Sequence, residues 1–309
     1  MISHKLNAQA LYNQTKAAEQ ECLSVNTRKT YESAYNTYIK CLEKDTDYVG
    51  EKWPPTDFTV RVFFQAYIVN HRKTTIQYLK LLLASLRYKM SVENIPDFTK
   101  TRSFENFMKA IYRQLAAIGS DHAKEGIDDS DLQIIVRRFE NSPKDQWFLA
   151  FCSIMYFGFL RISECLQLRT DSVQIDKSGR IVLTLNVTKT SQFKQIAIII
   201  SPNDHILSPF KFFLPYVETL RNSNEELIFP RNYYFYRRNI NTKFVSSGIH
   251  GNFCTHSFRK GAAHSAAIHG VKDCEIKILG RWKSACYTTY TQISTIEAAD
   301  AFAQKIVAN

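Results

Sequence analysis

A chain of 309 residues with 45% hydrophobic side chains is longer than one core usually serves, so two domains that fold without staples are the expectation. The formal charge of +11 points to a polyanionic partner, nucleic acid or an anionic membrane surface, and 17 Lys and Arg against 11 Asp and Glu in the first 120 residues rule out a basic tail on a neutral body. Seven scattered cysteines without a C-x-x-C pair argue against a disulfide framework or a zinc site, and read as reduced, intracellular thiols.

In chain order, "MISHKLNAQALYNQ" shows no apolar signal core. "SVNTRKTYESAYNTYIKCLEK" then predicts a helix with Ser24 or Asn26 as N-cap and a 3.6-residue stripe through Tyr31, Ala34, Tyr35, Tyr38 and Leu42. A second helix follows the prolines of "WPPTDFTVRVFFQAYIVNH", capped by Thr56 or Asp57. A third is "TTIQYLKLLLASLRYKM", after a short basic link, and a fourth is "RSFENFMKAIYRQLAAIG", closed by Gly119. The polar, aperiodic segment 120–131 reads as a linker, which divides the chain into 1–120 and 121–309.

Beyond it, "DLQIIVRRFE" and "DQWFLAFCSIMYFGFL" predict helices, the second apolar on most faces and therefore buried. The longest apolar run, Trp147 to Leu160, covers 14 residues and meets Arg161, too short to span a membrane. "GRIVLTLNVTKTSQFKQIAIIIS" alternates and is β-branched, with a polar break near 191–194, which is a hairpin pattern. Helices return at about 207–222, 257–269 and 273–279. The fold class expected is mainly α: a helical N-terminal domain, then a mixed α/β domain with one small hairpin or sheet.

There is no Gly-rich phosphate loop, H-E-x-x-H helix or G-x-S-x-G elbow, so charged residues in apolar surroundings carry the chemical information. Arg161 lies between "YFGFL" and "ISECLQL", where a buried guanidinium requires an anion; Glu164, three residues on, is the nearest structural partner. "CTHSFRKGAA" places His256 and Arg259 one helical turn apart. "LGRWKSACYTTYTQ" sets Trp282 eight positions before Tyr290. Two arginines, a histidine, Lys189 in the hairpin turn and a late tyrosine make a coherent set: guanidinium forks bind phosphate oxygens, lysine donates a proton, and a phenol attacks phosphorus.

These boxes, "FLRISE", "VTKT", "THSFRKGAA" and "LGRWKS" followed by Tyr290, resemble in content and order those of the tyrosine recombinases, the phage integrase family. The resemblance covers both domains. It implies a SAM-like, DNA-binding core-binding domain over 1–120 and a catalytic domain over 121–309 with a C-terminal helix. The G-R-W-K-S form is most similar to recombinases of eukaryotic mobile elements of the Crypton and DIRS type. By resemblance Tyr290 is the nucleophile, Arg161 and Arg259 hold the phosphate and Lys189 protonates the leaving 5′-oxygen. His256 assists proton transfer, Trp282 stands where many relatives have histidine, and Glu164 supports the site. Tyr287, three before Tyr290, is an alternative nucleophile by spacing alone, and the resemblance makes it a packing residue.

The implied function is a site-specific recombinase, integrase or transposase acting through a 3′-phosphotyrosyl link, with no cofactor and no metal. Its implied partner is double-stranded DNA, bound as a homo-tetramer on paired sites and as a monomer or dimer off DNA, with no membrane. The location is intracellular, at DNA, and nuclear for a eukaryotic source. A type IB topoisomerase and a non-catalytic DNA-binding descendant are the alternatives. The segment "STIEAADAFAQKIVAN" reads as an amphipathic helix that packs on its own chain or on a neighbouring subunit.

Overall fold

The computed structural model describes residues 7–20, 23–117, 125–185 and 195–291. It divides into two compact units, residues 1–122 and 123–309.

Among the described residues, five α-helices form the first unit: α1 (Ala8–Gln20), α2 (Val25–Lys44), α3 (Asp57–Asn70), α4 (Ile76–Val92) and α5 (Arg102–Ala117). Hydroxyl caps fix three of the starts. Ser24, Thr56 and Thr75 each accept a hydrogen bond from the backbone N–H three residues on, satisfying a donor that the helix itself leaves open. The predicted α2 stripe is only partly buried: Ala34, Tyr38, Cys41 and Leu42 enter the core, whereas Tyr31 and Tyr35 lie half-buried at its edge. Around Tyr38 the core gathers Phe63, Phe64, Leu79, Leu82, Phe104 and Ile111. The Tyr38 hydroxyl donates to Lys52 O at 2.9 Å and lies 3.1 Å from Thr59 Oγ1, so the buried ring leaves no orphaned polar tip.

The second unit begins inside the segment expected to be linker. Asp128 caps α6 (Asp129–Phe139), with Asp131 N–H on its carboxylate at 2.8 Å, and Ile127 is fully buried. The polar composition that reads as linker is here an acidic capping box. The residues before it lie along a later helix (Thr255–Ile268), where a Cβ on Gly261 would meet Ile127 O at 1.9 Å; only glycine permits this approach.

α7 (Gln146–Phe157) is the centre of this core, buried at every position from Phe148 to Tyr156. α8 (Ile162–Cys165) follows. The expected hairpin is part of a three-stranded antiparallel sheet, β1 (Val173–Ile175), β2 (Ile181–Leu185) and β3 (Ile196–Ile200), with Ile181 opposite both Ile175 and Ile200. Alternate residues Ile181, Leu183 and Leu185 face the core, as a period of two requires. α9 (Pro209–Asn222), α10 (Tyr233–Ser246), α11 (Thr255–Ile268) and α12 (Asp273–Leu279) follow among the described residues, α9 and α11 packing on α7. Among the described residues no helix is long and apolar enough to cross a membrane.

Candidate active site

Two helix ends build the floor of the site. α7 closes at Gly158, and Phe159 turns the chain with φ +46°, so that Arg161 becomes the N-cap of α8. α12 closes at Gly280, and Arg281 turns the chain with φ +55°, its successor Trp282 donating from its N–H back to Lys277 O at 3.0 Å. Helices usually place glycine in such left-handed positions, and a side chain there costs on the order of 1 kcal/mol or more. Gly280 beside it is required for another reason: a Cβ would lie 1.7 Å from the Trp282 ring, which covers it.

Arg161 makes the pair its spacing suggests. Its backbone N–H donates to Glu164 Oε2 at 2.9 Å and its Nη1 to Glu164 Oε1 at 2.8 Å. Its side chain keeps 17% exposure, whereas that of Glu164 is 1% exposed. On α11, one turn separates His256 from Arg259, but the two differ in depth: His256 is exposed and Arg259 fully buried. Arg259 turns its fork inward, Nη1 donating to Phe159 O and Nη2 to Gly280 O, so both termini lie on the two helix-end turns. Its guanidinium carbon stands 4.4 Å from the Trp282 ring centroid, and its Nε is buried without a hydrogen-bond partner.

Sequence reasoning passed over Arg281. Its Nη1 donates to Gly158 O at 3.1 Å and Leu279 O at 3.0 Å, and its Nη2 to Phe159 O at 2.9 Å and Glu164 Oε2 at 2.8 Å. A charged residue in "ILGRWK" offers the same signal that singles out Arg161, a cation in apolar surroundings.

The late tyrosines separate by burial. Tyr287 is 8% exposed, its ring centroid 5.7 Å from that of Trp282. Tyr290 is half-buried, 6.0 Å from Trp282 and 6.2 Å from the His256 ring in an edge-on arrangement. It also borders a cleft lined by Gly126, Lys260 and His264. Lys189 and the segment after Tyr290 beyond Thr291 lie outside the described residues.

One carboxylate thus faces three guanidiniums. Burial pushes the Glu164 carboxyl up, but the Arg281 charge and then the Arg161 contacts outweigh it and hold it below the usual carboxylate range. Arg259 is pulled down to about 9, first by burial and then by the like charges of Arg161 and Arg281, which Glu164 only partly opposes. Burial also lowers Arg281. At Tyr290 burial raises the phenol above its ordinary value despite the opposing charges of Arg259 and Arg161. The cluster is short of negative charge, and an anion set among these groups would relieve it. Among the described residues no three His, Cys, Asp or Glu side chains are grouped to hold a metal ion.

Residues 125–295, more than half of the chain, match the model of the phage integrase family. The chain belongs to this family. It is a tyrosine recombinase, an enzyme of DNA strand breakage and rejoining. The recombinase is similar in fold to three solved structures. One is the Tn1549 transposon integrase in complex with transposon right end DNA, at 10% identity and a TM-score of 0.63, covering 95% of this chain and 98% of that one. Another is the XerH site-specific recombinase bound to a palindromic difH substrate, at 13% and 0.62, covering 90% and 78%. The third is a lambda integrase dimer bound to a COC′ core site, at 16% and 0.58, covering 93% and 96%. No curated protein sequence matches the chain.

Proposed function

We propose that the recombinase cleaves and rejoins double-stranded DNA through Tyr290, with Arg161 and Arg259 holding the reacting phosphate. The Tyr290 Oη–phosphorus bond forms as the bond from phosphorus to the 5′-oxygen breaks. The phenol proton passes to His256, and Lys189 supplies a proton to the departing 5′-oxygen. One phosphate ester replaces another, so no nucleotide is consumed, and attack by a second 5′-hydroxyl runs the exchange backwards. The pentavalent transition state gathers negative charge on the non-bridging oxygens, and fixed guanidiniums stabilise that charge selectively. Trp282 packs on the Arg259 guanidinium and covers Gly280, and Glu164 orients Arg161.

The observation that carries this reading is three largely buried guanidiniums opposed by one carboxylate, beside a half-buried tyrosine. A nicked duplex whose short cleaved strand diffuses away tests it. We expect a covalent protein–DNA adduct on a denaturing gel, and recombinant strands when two sites are supplied. Absence of an adduct overturns the reading, and an adduct without recombinants assigns a type IB topoisomerase activity instead.

We extend the reading to residues 1–120 as the DNA-binding core-binding domain, 121–309 as the catalytic domain, and a homo-tetramer on paired sites. In a eukaryotic host the place of action is the nucleus, in keeping with the Crypton- and DIRS-like "GRWKS" box. Sedimentation with and without paired sites checks the assembly: four copies are expected on DNA, and a monomer or dimer without it.

A further inference from the structure

The backbone turn that carries Arg161 and the carboxylate that holds it share one partner. Gly158 and Phe159 form the turn between α7 and α8, and both of their carbonyls accept from Arg281. Glu164 is the other anchor of Arg161, and its Oε2 accepts from Arg281 too. A single guanidinium therefore fixes the approach of the chain to Arg161 and the carboxylate opposite its side chain.

The geometry also says what Arg281 does not do. Its four terminal N–H groups meet four acceptors, Gly158 O, Leu279 O, Phe159 O and Glu164 Oε2, and its side chain is 10% exposed. No terminal donor is left for a phosphate. Arg161 differs: it commits Nη1 to Glu164 and remains the more exposed of the two. Glu164 has two oxygens and two arginines, one on each, so neither guanidinium takes the whole carboxylate.

We propose that Arg281 is a positioning residue for strand cleavage, setting the Arg161 guanidinium against the reacting phosphate through Glu164 and the Gly158–Phe159 turn. The proposal rests on the reading that Arg161 contacts that phosphate. Without Arg281, a carboxylate that is 1% exposed keeps Arg161 as its sole guanidinium partner and draws it away from the DNA. The left-handed Phe159 loses a donor at the same time, and the turn relaxes. Lysine keeps the charge but cannot reach four acceptors with one ammonium.

Single-turnover cleavage of the nicked duplex, followed against DNA concentration, tests this. In Arg281→Lys the plateau rate should fall by roughly 10–100-fold, while half-saturating DNA shifts less than about twofold, because a misplaced group costs rate and not binding. The decisive measurement is a double-mutant cycle: in an Arg161→Lys background the same substitution should cost less than about twofold, since its target is already lost. Should Arg281→Lys be unfolded at the assay temperature by circular dichroism, Glu164→Gln takes its place in the cycle under the same criteria. An unchanged plateau, or losses that multiply with Arg161→Lys, overturns the positioning role and leaves the tyrosine chemistry standing. Absence of adduct from the unmodified protein overturns the tyrosine reading and this one with it.

Discussion

Two clusters of buried charge in the second unit are built on opposite principles. Lys243 on α10 pairs one-to-one with Asp145, and its ammonium lies 4.5 Å from the Phe139 ring centroid and 5.2 Å from that of Phe148. Burial pushes the Asp145 carboxyl up, but the hydrogen bonds from Lys243 and Ser142 outweigh it and hold it low. Charge and hydrogen bonds balance, so the pair is a finished piece of structure. The Arg161, Arg259 and Arg281 cluster shares one Glu164 and leaves two buried Nε groups without a partner. Evenly matched buried ions need no further partner; an excess of one sign marks where a ligand of the other sign completes the site.

The largest effect that sharpens this contrast is loss of the nucleophile. Tyr290→Phe should abolish the covalent adduct while DNA affinity stays nearly unchanged, since one hydroxyl adds little to an interface dominated by phosphate contacts. Tyr287→Phe should retain the adduct, because its ring is buried against Trp282. Peptide mapping of the adduct checks both, and nucleotide on Tyr287 would reverse the assignment.

Arg161 was legible because a cation interrupts an apolar run, whereas the order of the boxes and the choice of His256, Arg259 and Tyr290 came from their resemblance to a family. What could not be read was their depth. Three residues apart on α11, His256 is exposed and Arg259 wholly buried, a difference set by the turns at Phe159 and Gly280 that Arg259 meets and not by helical spacing. α10 was missed although Tyr236, Ile240 and Phe244 recur every fourth residue, because exposed Tyr234, Phe235 and Val245 blur the stripe. The start of α6 was hidden by its own acidic cap, which composition alone does not distinguish from a linker.

Next in size come the two arginines proposed to hold the phosphate. Arg161→Lys and Arg259→Lys keep the charge but lose the planar fork, and each should slow single-turnover cleavage at least about tenfold, the equivalent of about 1.4 kcal/mol of transition-state stabilisation. Unchanged cleavage in both would remove them from the chemistry and dissolve the contrast with the Lys243 pair. That pair should behave in the opposite sense. Lys243→Met strands a buried carboxylate and should cost about 3–5 kcal/mol of stability, read by urea titration, with cleavage by the folded fraction unchanged. Adding Asp145→Leu should restore much of the loss, as an apolar pair replaces the ions.

The smallest effect concerns the proton. Burial holds the Tyr290 phenol above its ordinary value near 10, so at neutral pH it is protonated and must give up its proton during attack. Alone, such a group would make the log of the cleavage rate climb with pH without levelling off below about 10. The His256 ring, its centroid 6.2 Å from that of Tyr290, is the imidazole proposed to take that proton. With that base in place, the rate should depend less steeply on pH than the phenol alone would dictate. His256→Ala should lower the neutral-pH rate several-fold and steepen its dependence on pH, so that the two profiles converge as the pH approaches the phenol's own titration. Profiles that stay parallel would show that His256 serves the phosphate and leaves the phenol's proton to another acceptor.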